Sequence, residues 1–122
     1  MSFLDDRLDT VAAVARKTFW ARVIIASLCL PLLVLNLGLP TTACWAAAFA
    51  AGEVWTWVAC RPAAASRPAT RAERLSYLGS NFMTGLAWTA LAALYWSTGE
   101  EALRLVAMVI PAAVLILSLI HI

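Results

Sequence analysis

The sequence predicts an all-α membrane protein with four transmembrane helices, arranged as two hairpins and preceded by an amphipathic N-terminal helix. Of its 122 residues, 63% are hydrophobic and 13% are charged, and the mean hydropathy is +0.84, whereas a soluble domain has about 25% charged residues. An Arg-rich connection, 61–76, interrupts the apolar sequence. Four apolar stretches, each close to the ~20 residues that cross a bilayer, lie on either side of it at about 20–39, 41–60, 77–96 and 102–120.

The N-terminal segment, residues 1–19, has the pattern of an amphipathic helix. Apolar residues recur every three or four positions from Leu4 to Phe19, while Asp5, Asp6 and Asp9 lie on another face. A helix of this kind lies on the cytoplasmic membrane surface or leads directly into the first span. The chain therefore divides into an interfacial helix, 1–19, and a transmembrane domain, 20–122.

The first two spans form a hairpin in which the second is built for close packing. Span one contains Arg22 near its start and Pro31 near its middle, where proline bends a helix. Gly38 and Pro40 then predict a tight turn. Small residues every fourth position in span two favour helix–helix contact and a homodimer; they are Ala43, Ala47 and Ala51, with Ala48 and Gly52 as a second set.

The third and fourth spans form the second hairpin. Thr70 and Glu73 have the spacing of a capping box, so the third helix is predicted to begin near Arg71, before span three itself. A tight turn at 97–101 precedes span four, in which Pro111 predicts a second bend. Span three also has small residues every fourth position, at Ser80 and Thr84 and at Gly85, Thr89 and Ala93.

The Lys and Arg residues beside the spans predict the orientation. Eight lie in the N-terminal segment, at the start of span one or in the central connection, and Arg104 alone lies on the other side. The positive-inside rule then places the N-terminus, the connection and the C-terminus of the multi-pass chain in the cytoplasm. Contact with anionic lipid is expected for the arginines of the connection, namely Arg61, Arg67, Arg71 and Arg74.

The sequence contains no pattern typical of an active site, a metal site or a cofactor site. No Ser/His/Asp set, Gly-rich nucleotide loop or P-loop is present. Cys29, Cys44 and Cys60 form no CxxC or Cys/His pattern, and His121 has no second histidine at a ligand spacing. With a net charge of only +2 and no basic face, nucleic acid is not an expected partner, which leaves the lipid bilayer.

Glu53 is the one acidic residue inside a predicted span. A carboxylate at membrane depth is costly and is a functional hypothesis by default. Asn81 and Thr84 of span three lie at a comparable depth, so an interhelical hydrogen bond from Glu53 to one of them is the structural interpretation. In that case Glu53→Gln should be tolerated. The alternative interpretation is a proton-coupled or ligand-coupled role in a small stand-alone transporter or channel subunit.

Two families resemble the chain. It is similar in size and span number to the small multidrug resistance transporters, but their essential glutamate lies in the first span and Glu53 lies in the second. It also resembles the N-terminal membrane regions of bacterial sensor and hybrid histidine kinases from high-GC bacteria, through its amphipathic start, its Trp-rich spans and an Arg-rich loop ending in RAERLSYLGSNF. This resemblance implies a membrane-anchoring and sensory module in a bacterial inner (plasma) membrane. The module would have no enzymatic activity of its own, because kinase activity would lie in a cytoplasmic domain outside these residues.

The last residues, LSLIHI, resemble a translated sequencing adapter of the kind found at the ends of metagenomic fragments. We therefore expect residues 117–122 to be foreign to the protein. The natural chain would then continue past about Ser118 into a cytoplasmic linker.

Overall fold

The computed structural model describes residues 3–120, and this part of the chain is helical and without strands. The prediction of an all-α fold is confirmed. His121, for which no ligand role was expected, lies outside the described residues. Six helices are present between residues 3 and 120: α1 (Phe3–Lys17), α2 (Phe19–Leu37), α3 (Leu39–Ala59), α4 (Arg61–Ala64), α5 (Arg71–Ser97) and α6 (Glu101–Ile120).

The turn between α2 and α3 is shorter than the sequence suggested, because a single residue, Gly38, separates the two helices. Its φ of +80° is a conformation that side chains disfavour. Pro40 lies in the first turn of α3, where its missing N–H is not required. The prolines predicted to bend spans one and four, Pro31 and Pro111, both lie inside their helices.

The start of α5 follows the predicted capping box. The Thr70 hydroxyl accepts a hydrogen bond from the Glu73 N–H at 3.3 Å, and the Glu73 carboxylate accepts one from the Thr70 N–H at 2.8 Å. These bonds satisfy two backbone donors that the helix leaves without an internal partner. The helix therefore begins at Arg71 and continues without a break to Ser97.

The four long helices pack as a row in the order α2, α3, α5, α6, and the α3–α5 contact is the most extensive. The centre of this row is aromatic. The Trp45 ring stacks on Phe49 and meets Trp88 edge-on, and its indole N–H donates to the Ala87 carbonyl oxygen at 2.9 Å. The helix α1 and the short helix α4 cover one set of helix ends, where α3 terminates and α5 begins.

Of the four spans predicted from the sequence, one meets the requirements of a membrane span: within residues 3–120, only α2 has both the length and the apolar composition to cross a membrane. Only 11% of its most apolar 18 residues are buried inside the chain, so it does not resemble the core helix of a soluble protein. The helix α3 is less apolar because it contains Glu53 and many alanines. Polar residues likewise lower the hydropathy of α5.

Within the described part of the chain, large apolar side chains are exposed on five helices. On α1 they are Phe3 and Leu4, and on α3 they are Leu39, Val54, Trp55 and Val58. On α2 they are Trp20, Ile24, Ile25, Leu28, Leu32 and Leu35; on α5 they are Leu75, Leu78, Phe82, Met83, Leu86 and Trp96; on α6 they are Leu105, Val106, Met108, Val109 and Ile116. A soluble monomer rarely exposes apolar patches of more than a few hundred Å².

The small-residue faces take part in packing less than the sequence suggested. Gly52 does lie in the α3–α5 contact, where an added Cβ would come within 2.9 Å of the Thr84 hydroxyl oxygen. The alanine stripe of α3, formed by Ala43, Ala47 and Ala51, is exposed instead. The reason is that α3 turns the face containing Trp45 and Phe49 towards α5, since these large side chains bury more apolar area than alanine does.

Candidate functional site

Glu53 forms a bidentate ion pair with Arg22 of α2. The Arg22 Nε atom lies 3.1 and 3.2 Å from the two carboxylate oxygens, and Nη2 lies 2.9 Å from Oε2. Glu53 is only 2% exposed, whereas the Arg22 side chain retains 30% exposure. The pair therefore compensates a carboxylate that α3 would otherwise bury without a partner, which is strongly unfavourable.

The hairpin brings these two residues to the same level. Arg22 precedes Gly38 by 16 positions and Glu53 follows it by 15. Because α2 and α3 are antiparallel neighbours joined at Gly38, equal separations from the turn correspond to equal heights along the two helices. Arg22 was missed as a site residue, and this spacing is the signal in the sequence that could have identified it.

The expected hydrogen bond from Glu53 to Asn81 or Thr84 does not form, so that prediction is wrong. The Asn81 amide donates to the Tyr77 carbonyl oxygen at 3.0 Å. The Thr84 hydroxyl oxygen is buried beside Gly52 and has no hydrogen-bond partner within the described residues. A guanidinium group outcompetes these neutral donors because it is charged and presents two N–H groups in the geometry of a carboxylate.

The same guanidinium also fixes the end of α1. The Arg22 Nη1 atom donates to the Ala15 carbonyl oxygen at 2.9 Å and to the Thr18 hydroxyl oxygen at 2.8 Å. Arg22 thereby connects α1, α2 and α3. On the adjacent turn of α1, the Arg16 guanidinium lies 3.9 Å from the centre of the Trp57 ring and donates to the Trp57 carbonyl oxygen at 3.2 Å.

A second charged cluster joins α1 to the start of α5. Arg74 contacts Asp9 through Nε at 3.0 Å and Nη2 at 2.8 Å, and it contacts Asp5 through Nη1 at 3.2 Å. Asp9 also accepts a hydrogen bond from the Ala69 N–H at 3.4 Å. The hydrogen bonds from Arg74 are the main reason that the pKa of Asp9 lies below its ordinary value.

A third ion pair holds the connection itself. Arg67 donates to Glu73 at 2.6 and 3.0 Å. Chiefly for this reason, and secondly because of the Thr70 N–H, the pKa of Glu73 falls to about 2. Of the four arginines expected to contact lipid, Arg67 and Arg74 are thus engaged with acids of the chain, while Arg61 and Arg71 are exposed. Arg67 is also exposed, whereas Arg74 is half-buried. Contact of these arginines with anionic lipid stays a prediction.

The chemistry available in this region is ion pairing rather than catalysis. A cleft of about 20 Å³ lies between α1, α4 and α5, beside Asp9, Cys60 and Arg74; it has room for about one water molecule. Among the described residues, no group of three or more His, Cys, Asp or Glu side chains is placed to hold a metal ion. The cysteines Cys29, Cys44 and Cys60 are free thiols.

Comparison with protein-family models, with curated proteins and with solved structures finds no match for the chain.

Proposed function

We propose that the chain is a four-span membrane module of a bacterial inner-membrane protein, with its N-terminus, the connection at 61–76 and its C-terminus in the cytoplasm. In this proposal it anchors, and senses for, a signalling protein whose cytoplasmic output domain lies outside this sequence. The spans correspond to α2, α3, the apolar part of α5 and α6.

The observation that carries the proposal is the belt of exposed apolar side chains on α2, α5 and α6. In water such a belt would expose far more apolar surface than a soluble monomer normally does. In a bilayer the same side chains contact lipid tails, and the backbone of each helix is satisfied internally as the membrane requires.

The distribution of charge supports the proposed orientation. The ion pairs formed by Arg22, Arg67 and Arg74 all lie near the helix ends that face α1 and the connection. At the opposite end, Arg104 lies 5.5 Å from the centre of the Trp96 ring, as expected for a cation and an aromatic residue at a membrane interface.

The second candidate function is a small transporter or channel subunit that uses Glu53. The burial of a carboxylate within α3 favours it. However, both carboxylate oxygens of Glu53 are bound to Arg22, so a coupling role would require this ion pair to be broken in each transport cycle. Substrate-dependent proton flux in proteoliposomes that disappears in Glu53→Gln, with folding intact, would favour the transporter over the anchor and sensor.

The exposed alanine stripe of α3 supports a proposal that two copies associate in the membrane. Small residues allow two helix backbones to approach closely. Cys44 is exposed on the same helix, so oxidative cross-linking of this native thiol tests the dimer. Cross-linked dimer that is lost when Ala47 is replaced by Leu would support the proposal, and absence of cross-linking in native membranes would contradict it.

Topology labelling in intact cells tests the central proposal. On a background without Cys29, Cys44 and Cys60, single cysteines are introduced at Ala65 in the connection and at Glu100 between α5 and α6, both exposed positions. A membrane-impermeant maleimide should label position 100 in intact cells and position 65 only after lysis. Labelling of position 65 in intact cells would overturn the orientation, and a cysteine at the buried Ala87 provides a control for non-specific access.

A further inference from the structure

The helix α1 makes few apolar contacts with the rest of the molecule. None of its residues is fully buried. Val11, Ala12 and Ala15 pack against a small cluster formed by Ala59, Cys60 and Tyr77, and Leu8 lines the narrow cleft between α1 and α4. Because buried apolar area is the main source of packing energy, so small a contact leaves much of the docking of α1 to its polar contacts.

The polar contacts differ at the two ends of α1. At the N-terminal half, Asp5 and Asp9 bind Arg74, and the side chains of the three residues are 34%, 25% and 13% exposed. Water and salt can reach such pairs, which weakens them and makes them sensitive to ionic strength.

The C-terminal end of α1 is held more firmly. Arg22 binds the Ala15 carbonyl oxygen and the Thr18 hydroxyl while its other nitrogens are fixed by the buried Glu53. The Arg16 guanidinium covers the Trp57 ring nearby. Thr18 is the one residue between α1 and α2, and its backbone bonds to both helices, since its N–H donates to the Val14 carbonyl oxygen and its own carbonyl oxygen accepts from the Arg22 N–H. These bonds and the Arg22 side chain hold the C-terminal end of α1 in place, so movement of α1 would take the form of a pivot about this end.

We propose that α1 is a releasable strap, which docks on the connection and the start of α5 through Arg74 and pivots about the Arg22 contact when that docking is lost. Release is driven by ionic strength or by anions that compete with Asp5 and Asp9 for Arg74. It uncovers the Arg74 guanidinium and the cleft beside Cys60. The strap does not depend on the proposed signalling function, because all of its contacts are within the chain.

The experiment measures distances between spin labels on the full chain in nanodiscs of zwitterionic lipid. Labels at positions 7 and 72, both exposed, report docking of the N-terminal half; labels at positions 17 and 58 report the pivot end. Raising the salt from about 0.05 M to about 1 M shortens the screening length roughly fourfold. We expect a longer 7–72 distance to gain population, while the 17–58 distance stays unchanged.

Variants identify the residues responsible. Asp5→Asn with Asp9→Asn should raise the undocked population about fivefold, as expected for two partly exposed ion pairs, and Arg74→Gln should do the same. Adding Arg74→Gln to the Asp variant should have no further effect, because the interaction is already absent. Arg71→Gln removes the same charge from an exposed position one turn away and should leave docking unchanged.

Two results would overturn the strap. One is a single short 7–72 distance at both salt concentrations and in the Asp5/Asp9 variant, which would mean that apolar contacts alone hold α1. The other is an equal effect of Arg71→Gln and Arg74→Gln, which would indicate a general charge effect. The unmodified protein provides a further check. The Ala69 N–H donates to Asp9, so its NMR chemical shift should change as salt is raised and α1 undocks.

Discussion

At the scale of single residues, the placement of Arg22 explains how α3 contains a buried acid. Glu53 is ionisable and 2% exposed, and an isolated carboxylate in that position would carry a large desolvation cost. Arg22 meets it across the hairpin through Nε and Nη2, and its Nη1 group donates to Ala15 and Thr18. The buried acid is thereby part of the structure that holds three helices together.

Replacing Glu53 by Gln should destabilise the protein, contrary to the expectation drawn from the sequence. The amide is neutral, so Arg22 loses its counter-charge. Removing one partner of a fully buried pair costs about 3–5 kcal/mol; because Arg22 is 30% exposed, we expect about 2 kcal/mol of unfolding free energy. Steric trapping or thermal denaturation in detergent measures the change.

The double variant Arg22→Leu with Glu53→Leu provides the control for this effect. It leaves no unpaired charge, so its stability should be closer to that of the natural chain than Glu53→Gln is. A Glu53→Gln protein as stable as the natural chain would show that the ion pair contributes little.

A second residue-scale prediction concerns the closest approach of α3 and α5. Gly52→Ala would place a Cβ 2.9 Å from the Thr84 hydroxyl oxygen, and overpacking of this kind costs about 1–3 kcal/mol. Thr84→Ala removes that oxygen, which has no hydrogen-bond partner among the described residues, so alone it should be nearly neutral. The two changes together should restore most of the stability, and a double variant as unstable as Gly52→Ala would contradict the geometry.

At the scale of helices, the residues where helices begin and end were easier to predict from the sequence than the faces through which the helices contact one another. Gly38, Pro40 and the Thr70–Glu73 capping box act locally, so their consequences follow from neighbouring residues alone. Which face of a helix packs against its neighbours depends on how much apolar area each face would bury. The alanine stripe of α3 has the spacing that favours helix–helix contact, yet the face with Trp45 and Phe49 packs against α5 instead. The larger side chains of that face bury more apolar area than alanine does.

The capping box of α5 leads to a prediction about pH. The pKa of Glu73 lies at about 2, below its ordinary value of 4.5. Since the pKa is lowered by folding, the stabilisation is fully present above pH 4.5 and is lost as the pH falls towards 2. NMR titration of the Glu73 side chain should therefore give a midpoint near 2.

The variant Arg67→Gln tests the cause of this shift. It should move the midpoint of Glu73 towards 4.5 without reaching it, since the Thr70 N–H still donates to the carboxylate. A midpoint near 4.5 in the natural chain would mean that the pair with Arg67 is not formed in solution.

At the scale of the whole molecule, the ion pairs concentrate near the helix ends beside α1 and the connection, while the outward-facing sides of the long helices are apolar. Apolar length and Lys/Arg bias could be read from the sequence because each is a property of composition. The ion pairs could not be read in the same way, since they join residues that are distant along the chain: Arg22 with Glu53, and Arg74 with Asp5 and Asp9. Only the nearly equal spacing of Arg22 and Glu53 from Gly38, 16 and 15 residues, gave a usable signal.

The most direct test of the membrane module is the collisional accessibility of single spin labels in lipid vesicles. Labels replace Leu28 on α2, Phe82 on α5 and Val109 on α6, all exposed apolar positions. If all three helices face lipid, each label should collide frequently with oxygen, which concentrates in the bilayer, and rarely with a water-soluble nickel chelate. Frequent collision with the nickel chelate at positions 82 and 109, with position 28 alone protected, would contradict the four-span account and leave α2 as a single membrane anchor.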